Sequence, residues 1–160
     1  MTMTATNMTF QNTLVNSGTA VTLHGGKVTK NFKNLVTAKD AEGAYDTVPV
    51  HKGGISNPRI SISGWIVINT YTSALTNVMT EALLTDFCLA KAPTKLIVTY
   101  GNEGSTVLKG RPTAGYSVGG TLTDYMWVEI ESWSMNLDSQ ESKEGQLVHV
   151  DIQAIETHPL

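Results

Sequence analysis

Residues 125–137, YMWVEIESWSMNL, followed after a polar turn over 138–145 by residues 146–157, QLVHVDIQAIET, carry the decision about the fold. Side chains of a strand alternate between its two faces with period two. In the first stretch one row is Tyr125, Trp127, Glu129, Glu131, Trp133, Met135 and Leu137, and the other is Met126, Val128, Ile130, Ser132, Ser134 and Asn136. In the second, Val148, Val150, Ile152 and Ala154 share one face, and Leu147, His149, Asp151, Gln153 and Ile155 share the other. The pattern predicts two long antiparallel strands with large apolar side chains on both faces. Val128, Ile130, Val148, Val150 and Ile152 are assigned to the core. A three-layer fold would hide the second face within one chain, but only one further segment has helical periodicity. The excess therefore points to contact with another subunit, with Trp127, Trp133, Met135, Leu147 and Ile155 as candidate interface residues.

At 160 residues the chain has the length of a single domain, able to bury roughly two thirds of its unfolded surface. Charged residues are only 16% and the net charge is -3, a balance that excludes an electrostatic grip on nucleic acid or a polybasic membrane anchor. One cysteine, Cys88, allows no internal disulfide. Residues 1–9 are polar, with neither a basic start nor an apolar stretch, so no signal peptide is expected. No apolar run approaches the roughly 20 residues of a membrane span, and the expectation is a soluble protein.

Working back along the chain, residues 1–9 read as a flexible arm, and 10–15 and 20–23 as short strands. Residues 24–58 are poor in apolar side chains and read as a long loop or an extended hairpin, 28–36 against 44–50, reaching off the body. Residues 59–69 form the clearest strand, with Ile60, Ile62, Ile66 and Ile68 on one face. Gly64 falls in that row and marks a bulge or a close approach of a neighbouring backbone. From Ser73 as N-cap, Leu75, Val78, Met79, Ala82, Leu83 and Phe87 recur at helical spacing, predicting a helix over 73–90, roughly 26 Å long. Strands follow at 95–100 and 105–109. The composite is a mainly β (α+β) single domain: a β-sandwich or partly closed β-barrel with one flanking helix.

No motif carries chemistry. His24, His51, His149 and His158 are scattered, and the best pair, His149 with Asp151 on one strand face, supplies only two metal ligands. Cys88 falls inside the helix rather than at its start, where packing is the ordinary role of a thiol. Glu129 and Glu131 lie about 7 Å apart on one face, the spacing of a glycosidase pair, but adjacent carboxylates on a strand are ordinarily solvated charge. The glycine-rich stretches lack phosphate-loop spacing. Trp65, Trp127 and Trp133 lack the flanking basic residues that track a nucleic-acid backbone. No catalytic, cofactor-binding or metal residue is assigned, and an enzyme is not expected.

The run NPRISISGW at 57–65, a helix, TKLIVTYG at 94–101, WVEIESWSM at 127–135 and AIET at 154–157 together resemble tail tube proteins of tailed viruses. Tube proteins of contractile injection machines are similar. The resemblance covers residues 57–157 and is one of pattern, because the family has no diagnostic ligand motif. It implies a β-sandwich or barrel with one helix and hexameric rings stacked into a virion tail tube that passes the genome. Residues 1–9 and 24–58 would then bridge neighbouring subunits. Closing a ring would also remove exposed sheet edges. DNA would pass without sticking along a face poor in Lys and Arg, and Glu129, Glu131 and Asp151 are the candidate lining. The partners implied are copies of the chain and other tail proteins, assembled in the host cytoplasm. The alternatives are a distal tail or tail terminator ring, a carbohydrate-binding β-sandwich using exposed aromatics, and an enzyme built on Glu129 and Glu131.

Overall fold

A computed structural model describes residues 6–38, 50–68, 77–100, 106–137 and 146–158. Its strands are β1 (Thr6–Gln11), β2 (Val21–Asn31), β3 (Asn34–Ala38), β4 (Val50–Ile55), β5 (Arg59–Ile68), β6 (Thr94–Tyr100), β7 (Thr106–Leu108), β8 (Met126–Leu137) and β9 (Gln146–Thr157). One helix, α1 (Glu81–Leu89), follows β5. Seven strands pair in the order β1-β2-β5-β9-β8-β6-β7, and β3 and β4 form a separate two-stranded sheet. β1 also pairs with β6, from Thr6↔Tyr100 to Gln11↔Lys95. The main sheet therefore folds back on itself in a sandwich-like α+β arrangement, as the strand-rich pattern predicted.

Alternation builds the core. Met8 and Phe10 of β1, Leu23 of β2, Ile60, Ile62 and Ile66 of β5, Leu96 of β6 and Val150 and Ile152 of β9 are buried on the inner face. Val128 and Val148 are buried with them, and Ile130 packs against the cluster from a partly buried position. Helix α1 adds Leu84 and Phe87, and the Phe87 ring meets Phe10 with centroids 5.8 Å apart at 51°. Such a pair contributes about 0.5–1.5 kcal/mol beyond its buried area. A Cβ on Gly64 would lie 2.9 Å from Leu23 Cδ2, so the glycine in the isoleucine row makes room for a leucine side chain.

Four expectations change. The helix is shorter than 73–90: residues 69–76, including Ser73, lie outside the described residues, and 77–80 are not helical. Asn77 has φ 59. Thr22 N donates to Asn77 O and Met79 N to Thr22 O, both at 2.9 Å. Backbone committed to β2 in this way cannot close helical bonds, so the helix starts at Glu81. Its cap is Thr80, whose side chain accepts from Leu83 N.

Residues 24–58 are not one loop. Residues 24–31 continue β2 within the main sheet, paired to β5 from His24↔Trp65 to Asn31↔Arg59. The hairpin that leaves the body is β3 with β4, from Asn34↔Ile55 to Ala38↔Val50, and residues 39–49 lie outside the described residues. At its root Ser56 N donates to Lys33 O at 2.9 Å. Phe32 and Leu35 are exposed on this arm. Of the predicted N-terminal arm, residues 6–9 are strand β1, and 1–5 lie outside the described residues.

Strict alternation fails in β8. Its pairing with β9 shifts between Ile130↔Ala154 and Ser132↔Gln153, leaving Glu131 as the extra residue of a β-bulge. Met126, Val128 and Ile130 face the core before the bulge, and Trp133 and Met135 pack against the same core after it. Much of the second apolar face is therefore a change of phase along one face.

Candidate functional site

The outer face of β5, β9 and β8 holds most of the predicted site residues. Glu129 and Glu131 are exposed there and Asp151 is half-exposed. Arg59 Nη1 reaches Glu131 Oε2 at 2.6 Å across the end of β9, so the arginine on this face carries its own counter-ion. Glu131 stands on the bulge and is ion-paired, whereas Glu129 lies opposite Ile155. The two carboxylates thus occupy different electrostatic settings.

His149 and Asp151 do meet, with Nδ1 and Oδ2 3.3 Å apart. Sequence reading missed the third member: Ser63 Oγ lies 2.8 Å from His149 Nε2. This is the connectivity of a serine–histidine–acid relay. Ser63 is mid-strand, however, paired to Lys27 on one side and Asp151 on the other. It is not on a sharp turn that aims two free N–H groups at one oxygen, and without such donors the relay lacks stabilisation for an oxyanion. Among the described residues no group of three His, Cys, Asp or Glu side chains comes together as a metal site.

The tryptophans do not form one platform. Trp65 meets His149 edge-on at 4.8 Å between centroids, Trp133 packs on the core, and Trp127 meets Tyr125 edge-on at 6.0 Å. Trp65 lies opposite His149 and Trp127 opposite Thr157, which separates them by roughly 26 Å along β9. Of the candidate interface residues, Trp127 and Ile155 are half-buried on the outer side, while Trp133 and Met135 are turned to the core. Leu147 of β9 stands opposite Val67 of β5, and its side chain lies outside what is described.

Cys88 is half-buried, and burial pushes its thiol up from the ordinary 9 to about 12. A folded-state value above the unfolded one stabilises the native state below pH 9, and that contribution is lost as pH rises toward 12. A thiol this reluctant to ionise is a packing group. Alkylation by iodoacetamide at pH 8 should run on the order of 100-fold slower than in denaturing urea, and an equal rate in both would rule out this assignment.

A second polar cluster was invisible in sequence. Lys30 Nζ contacts Glu156 Oε2 at 3.0 Å and Lys109 O at 3.0 Å, and the Tyr116 hydroxyl donates to Glu156 Oε1. The side chains of Lys30 and Glu156 are 4% and 0% exposed. The cluster ties the 109–116 loop to β2 and β9 beside the root of the arm. Two clefts adjoin it. One of about 100 Å³ is lined by Arg111, Pro112, Tyr125 and Trp127 among others. The other, about 620 Å³, runs from 55–58 past Arg111 and Tyr116 to Glu156.

No protein family matches the chain, and no curated protein is found related to it. Among solved structures, the fold is similar to a chain in the six-fold symmetrised cryo-EM structure of the anti-feeding prophage baseplate. The TM-score is 0.50 at 8% identity, over 99% of this chain and 92% of that chain. At that identity the likeness is one of fold.

Proposed function

We propose that this chain is a non-enzymatic structural subunit of a phage-tail-like particle, a ring-forming tube or baseplate protein that assembles with copies of itself and with other tail proteins. The observation that carries this is the fold likeness to a baseplate chain along nearly the whole length of both molecules. In the fuller form of the proposal, hexameric rings stack around a channel for the genome in a virion tail assembled in the host cytoplasm. The outer face bearing Glu129, Glu131 and Asp151 lines that channel. Its acids repel phosphate, and Arg59 is neutralised by Glu131. Trp127, Leu147 and Ile155 lie at or beside contacts between subunits, whereas Trp133 and Met135 pack on the subunit's own core.

The β3–β4 arm is the element placed to reach a neighbour. Removing 24–58 would delete most of β2, so the informative variant replaces residues 34–55 with a two-residue Asn-Gly turn between Lys33 and Ser56, which already share a backbone hydrogen bond. The expected result is a folded protein by circular dichroism that forms no stacked rings under negative-stain electron microscopy. Unchanged tubes would remove the arm from the proposal, and a wild-type chain that stays monomeric at high concentration would remove the rings.

A further inference from the structure

Arg111 is held in place by its own backbone. Thr123 Oγ1 donates to Arg111 O at 3.0 Å, and Gly110 and Thr123 exchange backbone hydrogen bonds at 2.8 and 3.1 Å. The turn from Pro112 to Gly115, closed by Gly115 N to Pro112 O at 2.8 Å, wraps the guanidinium. A Cβ on Gly115 would sit 3.1 Å from Nη2, so a residue without a side chain leaves space along that edge. Arg111 lines both clefts beside the Lys30 cluster.

Its charge has no counter-ion among the described residues. Nη1 is buried and has no hydrogen-bond partner there. The nearest carboxylate in the larger cleft, Glu156, is already taken by Lys30 and Tyr116. Arg111 as a whole is half-exposed, but a guanidinium nitrogen buried without a hydrogen-bond partner calls for an explanation in a native protein. The smaller cleft, about 100 Å³, has room for several waters or a small polar group. With Pro112, Tyr125 and Trp127 as walls, it suits a carboxylate on a short apolar stem.

We infer that Arg111 is a receptor for a carboxylate, and that an Asp or Glu side chain of a second copy of this chain enters the Trp127 cleft to pair with it. This rests on the ring-forming role proposed above. The chain is acidic overall, with net charge -3. Glu81 and Asp86 are exposed and take part in none of the ion pairs of the described residues. A cleft on one copy filled by a different surface of the next is a heterologous contact, the kind that closes into rings. A planar guanidinium also offers a carboxylate two parallel hydrogen bonds, which fixes orientation as well as affinity.

The test compares the full-length wild type with Arg111→Met by sedimentation velocity over a concentration series, with thermal unfolding alongside. The variant should need at least about tenfold more protein for half-assembly, while its melting temperature is not lowered, which separates lost pairing from lost folding. Assembly identical to wild type would overturn the receptor and leave the ring proposal standing. If the wild type never assembles, the ring proposal fails and a second measurement decides the receptor: titration with sodium glutarate against sodium chloride at equal ionic strength, followed by tryptophan fluorescence. A saturable response in wild type that Arg111→Met abolishes supports a carboxylate site. The same response in both proteins, or none in either, overturns it. Should Arg111→Met fail to fold, Arg111→Gln takes its place in both measurements.

Discussion

Gly26→Ala is expected to lower the unfolding free energy by about 3–5 kcal/mol, the largest effect of any single methyl group in the main sheet. Gly26 lies in the register shift between β2 and β5 at φ +92. A Cβ there would fall 1.6 Å from Ser63 O and 2.9 Å from Gly64 Cα. Those are backbone atoms of a strand paired on both edges, so they cannot swing away as a side chain would. Gly54→Ala is the control, since Gly54 has φ +111 but open space around the added methyl. It should show only the conformational penalty, on the order of 1–2 kcal/mol. Urea unfolding of both variants separates clash from strain, and a Gly26→Ala loss within 1 kcal/mol of the control would show that β2 relaxes around the methyl.

Lys30→Met should cost a further ~3–5 kcal/mol, because it strands the fully buried Glu156 carboxylate. The double variant Lys30→Met with Glu156→Gln should regain most of the loss, since an amide needs partners but no counter-charge. A cycle with no coupling between the two positions would mean that the pair contributes only shape. The Tyr116 hydroxyl titrates well above the ordinary tyrosine range, first through burial and then through its hydrogen bond to Glu156 and that carboxylate's charge. The folded state therefore keeps this proton at a pH where an unfolded tyrosine releases it, near 10. The sign follows: stability from this group is complete below about pH 10 and falls as pH rises beyond it. Tyr116→Phe should flatten that alkaline limb while lowering stability at neutral pH.

Period-two patterning made the strands legible, because Ile60, Ile62, Ile66 and Val148, Val150, Ile152 are buried on one face. The helix was over-read because Val78 and Met79 sit at helical spacing for another reason: their segment is bridged to Thr22 through Asn77 O and Met79 N. The bulge at Glu131 is a property of pairing, and no single-strand pattern reveals it. Without the bulge, Trp133 and Met135 look like an outer face, which made the apolar excess of β8 seem greater than it is. The same holds for the polar groups. His149 and Asp151 are two residues apart and could be read together, whereas Ser63 joins them only through the β5–β9 register. Lys30 and Glu156 are 126 residues apart, and no local signal links them.

β9 lies in the middle of the main sheet, between β5 and β8, although it is last of the strands in sequence. While the protein is being made, β5 and β8 each have one unpaired edge until residues 146–157 leave the ribosome. The β1–β6 seam, closing a loop of about ninety residues, is entropically slow to form. Among the described strands, β9 is thus the one whose arrival closes the gap between β5 and β8.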